Sequence, residues 1–255
     1  MNQIILHVPH ASLYIPDNIR SAIVLDDREL EGELLAMTDW YTDELFAVPG
    51  ATMIKSPVSR LVVDMERFRS DEDEVMAQVG MGTVYERTSV GKRLRYITPG
   101  TRTAILAEYY DPYHKEFEDA VEASLAQHNR CLIIDCHSFP PKPLPYELDQ
   151  DPERPDICVG TDDYHTPPQL KDYALEWMAK HFSVSVNRPF AGTFVPSKFY
   201  KRDKRVSSIM VEVNRSLYMN EVTGNKNQGF SRIGKLMREF VMGCSSVAWV
   251  KQGDV

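Results

Sequence analysis

Short apolar runs that stop at imidazole or charged side chains recur along this chain. Ile4-Ile5-Leu6-His7-Val8 lies in one, over residues 3–8, and Pro9-His10-Ala11-Ser12 turns the chain out of it. Residues 51–55 and 60–64 read as two short strands around Pro57. Residues 131–135 (Cys131-Leu132-Ile133-Ile134-Asp135) are the clearest buried strand, 157–160 and 183–186 add two more, and 208–213 (Ser208-Ile209-Met210-Val211-Glu212-Val213) is the last. Between them the apolar positions fall at helical spacing. One helix is predicted over 27–48, with Leu30, Leu34, Leu35, Met37, Leu45 and Phe46 among its apolar positions. Others cover 103–128, where Pro112 is placed to kink or restart the helix, 167–181, and about Phe230 to Met242. The charged, Gly-containing stretch 66–102 reads as an excursion carrying loops. Residues 139–156, rich in Pro and acids, read as a loop or lid, and 188–206 as a loop with a basic cluster from Lys198 to Arg205. Strands alternating with helices predict an α/β fold, a three-layer αβα sandwich. No break in composition divides residues 1–255 into more than one domain.

Composition narrows the function classes. With 43% hydrophobic and 26% charged residues the chain is ordinary globular material. A net charge of −8 and a pI near 5.4 argue against a general nucleic-acid binder. They leave room for an anionic small molecule, because a local arginine cluster can outweigh the global sign. The cysteines, Cys131, Cys136, Cys158 and Cys244, fit neither a zinc pair nor a disulfide framework, and a reducing compartment follows. No basic leader with a long apolar stretch opens the chain, and no apolar run approaches the length of a membrane span. The expectation is a cytoplasmic protein without a membrane partner.

Five constellations carry candidate chemistry. In an extended segment residues three apart point to opposite sides, so one of His7 and His10 faces a site while the other packs or hydrogen-bonds. His10, beyond Pro9 at the strand's carboxyl end, is the better placed. Asp135-Cys136-His137-Ser138 follows the strongest strand. Asp135 and His137, two apart, share a face, so the carboxylate can orient the imidazole. Glu212 interrupts an apolar strand, where desolvation lifts a carboxylate's pKa toward the range of a general base; an ion pair with Arg215 is the structural alternative. Asp39 and Asp43 share a helix face at i, i+4 in Thr38-Asp39-Trp40-Tyr41-Thr42-Asp43, and taken alone read as helix-surface acids. Arg60, Asp64 and Arg67 bracket a strand, and Arg188 and Arg215 stand at other loop junctions; arginine's planar fork suits carboxylates. His114, in Pro112-Tyr113-His114, is a further pocket candidate.

Taken as an ordered set, these pieces resemble the N-formylglutamate amidohydrolase family. The matching residues are Val8-Pro9-His10-Ala11-Ser12, Thr38-Asp39, Ser59-Arg60-Leu61-Val62-Val63-Asp64 with Arg67, Pro112-Tyr113-His114, Asp135-Cys136-His137-Ser138, and Glu212-Val213-Asn214-Arg215 with Leu217-Tyr218. The resemblance implies a zinc-peptidase-like fold with a mixed central sheet, and hydrolysis of N-formyl-L-glutamate to formate and glutamate, a step of histidine breakdown. It places His10, Asp39 and His137 at the metal-ligand positions, for zinc or another divalent ion, and Glu212 at the general base. Arg60, Asp64, Arg67, His114 and Arg215 become the substrate-binding candidates. Two positions depart from the family pattern. Ser-Gly after the Pro-His is Ala11-Ser12 here, and Asp-x-Asn-Arg is Asp64-Met65-Glu66-Arg67, which brings a negative charge to the carboxylate pocket.

Two rival readings remain at this point. One is a peptidoglycan or peptide amidase of the same fold. The other is a non-catalytic binder of acidic metabolites that keeps the pocket arginines. A thiol nucleophile built from Cys136 and His137 is the weakest option, since adjacent strand residues point apart and do not easily pair.

Overall fold

A computed structural model describes residues 4–247. Six strands form one mixed sheet in the order β2-β1-β3-β6-β4-β5. In chain order they are β1 (Ile4–Val8), β2 (Thr52–Lys55), β3 (Cys131–Phe139), β4 (Ile157–Gly160), β5 (Val184–Val186) and β6 (Val206–Asn214). β1, β2, β3 and β6 run parallel, while β4 pairs antiparallel with β6 and parallel with β5. The helices are α1 (Asp17–Arg20), α2 (Asp27–Met37), α3 (Thr42–Leu45), α4 (Pro99–Ile105), α5 (Asp111–His128), α6 (Pro168–Met178) and α7 (Phe230–Cys244). Among the described residues no helix is long and apolar enough to cross a membrane.

The two faces of the sheet differ, and the period-two alternation of the strands makes them differ. Leu6, Val8, Leu132, Ile134, Ile209, Val211 and Val213 form an apolar face that α3, α6 and α7 cover. The opposite face is apolar only at its lower half, where Ile5, Ile133 and Val206 pack on Phe117, Val121 and Leu125 of α5. Above them the same alternating set becomes His7, Asp135, His137 and Glu212, level with one another in the β1/β3 and β3/β6 registers. The sheet thus builds a core and a polar shelf from one alternation.

Three elements differ from the sequence expectations. The helix expected over 27–48 breaks at Thr38–Tyr41 into α2 and α3, with Tyr41 left-handed at φ 64°. Residues 60–64 are a buried turn rather than a strand: the Arg95 guanidinium donates to the carbonyls of Leu61 and Val62, and Asp64 N donates to Thr83 O. A side chain and a loop thereby take the bonds that a neighbouring strand would have made. The strand expected over 131–135 runs on to Phe139, so Asp135 and His137 are held on the sheet and not on a loop after it. The long helix holds, extended to Pro99–His128, with a π-helical stretch at Leu106–Tyr110 just before Pro112.

Candidate active site

The polar shelf is held by a chain of side-chain bonds with its aspartates at the centre. Asp135, 1% exposed, accepts from His7 Nδ1 at 2.6 Å, His137 Nε2 at 2.9 Å and Phe194 N at 2.8 Å. His7 is stacked between Phe117 and Phe194, with centroids 4.8 Å from each, so it supports Asp135 from a dry pocket. Asp64, fully buried, accepts from His10 Nε2 at 2.9 Å, Arg60 Nη2 at 2.8 Å, Glu66 N at 3.0 Å and the Tyr85 hydroxyl. Burial works to raise the Asp64 pKa, but Arg60, His10 and Arg67 outweigh it and hold the carboxyl well below the usual carboxylate range.

These two aspartates leave the histidines in a matched pose. His10 and His137 each have Nε2 on a buried carboxylate and turn Nδ1 toward Asp39. Asp39 Oδ2 stands 3.0 Å from His137 Nδ1 and 3.5 Å from His10 Nδ1. His10 Nδ1 is buried without a hydrogen-bond partner. Two imidazoles whose far nitrogens are fixed by carboxylates, converging with a third carboxylate, are a donor set suited to a divalent ion. His10, Asp39 and His137 offer ligand atoms within 4.8 Å of one another. His7, Glu66, Asp135 and His137 form a second such group, but there Asp135 already joins His7 Nδ1 to His137 Nε2 by close hydrogen bonds. In the first set both imidazole Nδ1 atoms face the same Asp39 oxygen, and His10 Nδ1 has no hydrogen-bond partner, so it fits an ion better.

Asp39 reaches this position because the helix breaks. It does not share a helix face with Asp43, which instead pairs with Lys55 at 2.5 Å. Arg215 follows β6 and donates to the carbonyls of Leu35, Ala36 and Thr38, closing the C-terminus of α2, while its Nε lies 3.1 Å from Glu221. Tyr218 donates to Trp40 O, and Asp39 N donates to His10 O. The turn is therefore pinned from both sides of the site.

Glu212 lies beside His137 across the β3/β6 register, nearly buried, and its Oε2 has no partner. Burial pushes its pKa up to about 8; His137 opposes the rise, and the carboxylates of Asp39, Glu66 and Asp135 add to it. A cavity of about 600 Å³ opens in front of these groups. Arg60 and Arg67 line one side, with Tyr146 close enough that both cations act against the burial that raises its hydroxyl to about 12. The carboxylates nearest Arg67, on Asp64 and Glu74, are 3.7 Å away, so this guanidinium keeps bonding capacity toward the cavity.

Two loops roof the cavity, 140–156 and 187–194. Arg188 ties them by bonds of 2.7 Å to Asp149 and 2.9 Å to Asp151. Arg154 pairs with Glu147 and lies against the rings of Phe139 and Phe190. Gly160 lets the second loop lie close to β4, since a Cβ there would meet Gly192 O at 2.1 Å.

His10, Asp39, His137, Glu212, Arg60 and Arg67 all line this cavity. Three other expected substrate residues are placed differently. Asp64 is not among the lining residues; it lies behind His10 and holds it. His114 packs against Tyr110 and Phe194 outside the cavity, and burial, helped by His7, pushes it down to about 4, so it carries no charge at neutral pH. Arg215 touches the cavity wall, but its guanidinium is committed to the end of α2 and to Glu221. Sequence reasoning missed Tyr85 and Tyr146, which no motif flags. It noted Glu66 only as a departure in Asp64-Met65-Glu66-Arg67, and that departure was the signal available.

The likeness to known proteins spans most of the chain. The N-formylglutamate amidohydrolase family model matches residues 2–219. N-formylglutamate deformylases of Pseudomonas putida and Pseudomonas aeruginosa are 24% and 23% identical over 229 residues, 86% of this chain and 82% of each of theirs. The crystal structure of N-formylglutamate amidohydrolase from Ralstonia eutropha JMP134 superposes with a TM-score of 0.84 at 22% identity, covering 96% of this chain and 94% of that one. The mixed sheet, its flanking helices and a family match from near the first strand to just past β6 lead to one assignment: this chain belongs to the N-formylglutamate amidohydrolase family.

Proposed function

We propose that the chain is a metal-dependent amidohydrolase that cleaves N-formyl-L-glutamate to formate and L-glutamate, acting as a single catalytic unit. The observation that carries this reading is the matched pose of His10 and His137, each with Nδ1 toward Asp39 and the unpartnered Glu212 Oε2 beside them. His10, Asp39 and His137 would hold the ion. Bound there, zinc or another divalent ion supplies a Lewis acid for the formyl carbonyl and lowers the pKa of water toward about 7.

The rest of the mechanism belongs to the chain's own side chains. Glu212 Oε2 takes a proton from the attacking water and passes it to the nitrogen of the departing glutamate. Burial raises its pKa above the ordinary carboxylate range, which favours the return of the proton to the leaving nitrogen. Arg60 and Arg67 hold the carboxylates of the substrate, and a guanidinium close to the carbonyl also favours the developing oxyanion. Asp64 and Asp135 keep the two imidazoles in one tautomer and orientation. The loops tied by Arg188 limit water in the cavity. Four free, buried cysteines fit a reducing, cytoplasmic setting.

The test is Glu212→Gln. The variant is expected to bind its ion with unchanged stoichiometry and to lose about 10²–10⁴ in kcat on N-formyl-L-glutamate. Wild-type turnover in that variant would remove Glu212 from the chemistry. A larger peptide-like amide is the second reading, favoured by the cavity of about 600 Å³, which exceeds what a formyl amino acid needs. A panel of N-formyl amino acids and muramoyl-peptides separates the two by kcat/KM.

A further inference from the structure

Tyr146 enters the cavity wall from the roof, and the turn that carries it is built to hold it there. Leu144 N donates to Glu147 Oε1 at 3.1 Å, and Glu147 N donates back to Leu144 O at 3.0 Å. Gln150 Nε2 donates to the carbonyls of Leu144 and Glu147 at 2.9 and 2.7 Å. Arg154 pairs with Glu147, and the two side chains are 1% and 3% exposed, so the turn is anchored below the surface. Leu148 stands out in solvent, while Tyr146, two residues earlier, packs against the cluster of Met37, Leu61 and Tyr85. The wall that receives its ring also carries Arg60 and Arg67. Those two guanidiniums oppose the rise that burial imposes on its hydroxyl, which still titrates only at about 12. At neutral pH Tyr146 therefore stands beside two cations as an uncharged O–H donor.

We propose that Tyr146 determines specificity together with Arg67: its hydroxyl donates to one oxygen of the substrate's side-chain carboxylate and the Arg67 guanidinium to the other. The inference rests on the N-formyl-L-glutamate reading above and names what selects that side chain. Arg60 is bound to Asp64 at 2.8 Å, whereas the carboxylates nearest Arg67 stand 3.7 Å away, so Arg67 is the freer cation for a ligand. A phenol suits the place beside it. A third cation there would meet like charges and lose its water, while a neutral O–H adds a donor at neither cost. A substrate with an apolar side chain leaves both donors unpaired in the cavity, and that mismatch is what discriminates.

The test is Tyr146→Phe in the full chain, which keeps the ring and its packing and removes only the oxygen. On N-formyl-L-glutamate kcat/KM is expected to fall about 10–100-fold, mainly through KM, as for a lost hydrogen bond to a charged group. On N-formyl-L-leucine it should stay at the wild-type value, and so should metal content and the urea midpoint. Calorimetric affinity for the product L-glutamate, which keeps the side-chain carboxylate, should fall in step. Equal losses on the two substrates would make Tyr146 a part of the cavity's general architecture, and no loss on either would remove it from recognition; both outcomes overturn the proposal. If the wild type hydrolyses neither substrate, the proposed reaction fails, and L-glutamate binding still decides the role of Tyr146. Weaker binding in the variant supports that role, and equal affinity, or no binding by the wild type, overturns it.

Discussion

His10 and His137 owe their pose to the buried carboxylates on their far nitrogens, and this is where single substitutions tell most. Asp135 holds His137, His7 and the loop amide of Phe194 at once. Asp135→Asn keeps the volume but removes the charge that fixes the tautomer. Ion affinity should fall about 10–100-fold in a competition titration against a chromophoric chelator; unchanged affinity would mean His137 is oriented by packing alone. Glu33, in α2, reports on the protein away from the site. Burial pushes its pKa above the ordinary 4.5, against the opposing bonds from Ser89 N and Oγ. The folded state thus holds this proton more tightly than the unfolded chain does. Its contribution to stability is complete below about pH 4.5 and is lost as pH rises through the folded-state value. Glu33→Gln should flatten that slope in urea midpoints measured from pH 4.5 upward, and an unchanged slope would assign the pH dependence elsewhere.

Two buried arginines shape the elements that carry the site. Arg95 holds the 60–67 turn by the carbonyls of Leu61 and Val62, and Arg215 holds the Asp39 turn by the carbonyls of Leu35, Ala36 and Thr38. Removing Arg215 leaves buried acceptors unpaired at about 1–3 kcal/mol each before relaxation. Arg215→Met should therefore cost roughly 2–4 kcal/mol in urea unfolding and weaken ion binding with it. A variant of native stability with only a raised KM would restore Arg215 to the substrate. These clamps also explain what the sequence could and could not reveal. β3 and β6 were legible because unbroken apolar runs ending in Asp135-Cys136-His137 and Glu212 have one reading, a buried strand with chemistry at its end. Arg60-Leu61-Val62-Val63-Asp64 has a strand's composition, yet its backbone partner is a guanidinium more than thirty residues away. The break at Thr38–Tyr41 carries no Gly or Pro; it is imposed by Arg215 and Tyr218, far along the chain. Local pattern cannot register bonds of that range. The proposed metal positions His10, Asp39 and His137 come from the ordered family resemblance, whereas Asp39 read by spacing alone looks like a surface acid.

At the scale of the whole molecule, an acidic chain of net charge −8 places two guanidiniums, Arg60 and Arg67, in the wall of the cavity where the substrate would sit. Arg67→Met should raise KM for N-formyl-L-glutamate by about tenfold or more and leave N-formyl-leucine less affected; equal losses on both would place Arg67 outside substrate recognition. Ion binding should also couple to folding, since His10, Asp39 and His137 come from three separate parts of the chain. An ion at about 100 times its Kd adds about 2.7 kcal/mol, which for a chain of this size raises the melting temperature by roughly 5–11 °C. No shift on adding zinc, cobalt or manganese to stripped protein would mean the three side chains do not act together. The most direct measurement is formate release from N-formyl-L-glutamate by chelator-stripped protein, before and after one equivalent of divalent metal is returned. The account expects no turnover before and full recovery after. Full activity in the stripped protein, or a reloaded protein that binds its ion and hydrolyses nothing, would contradict it.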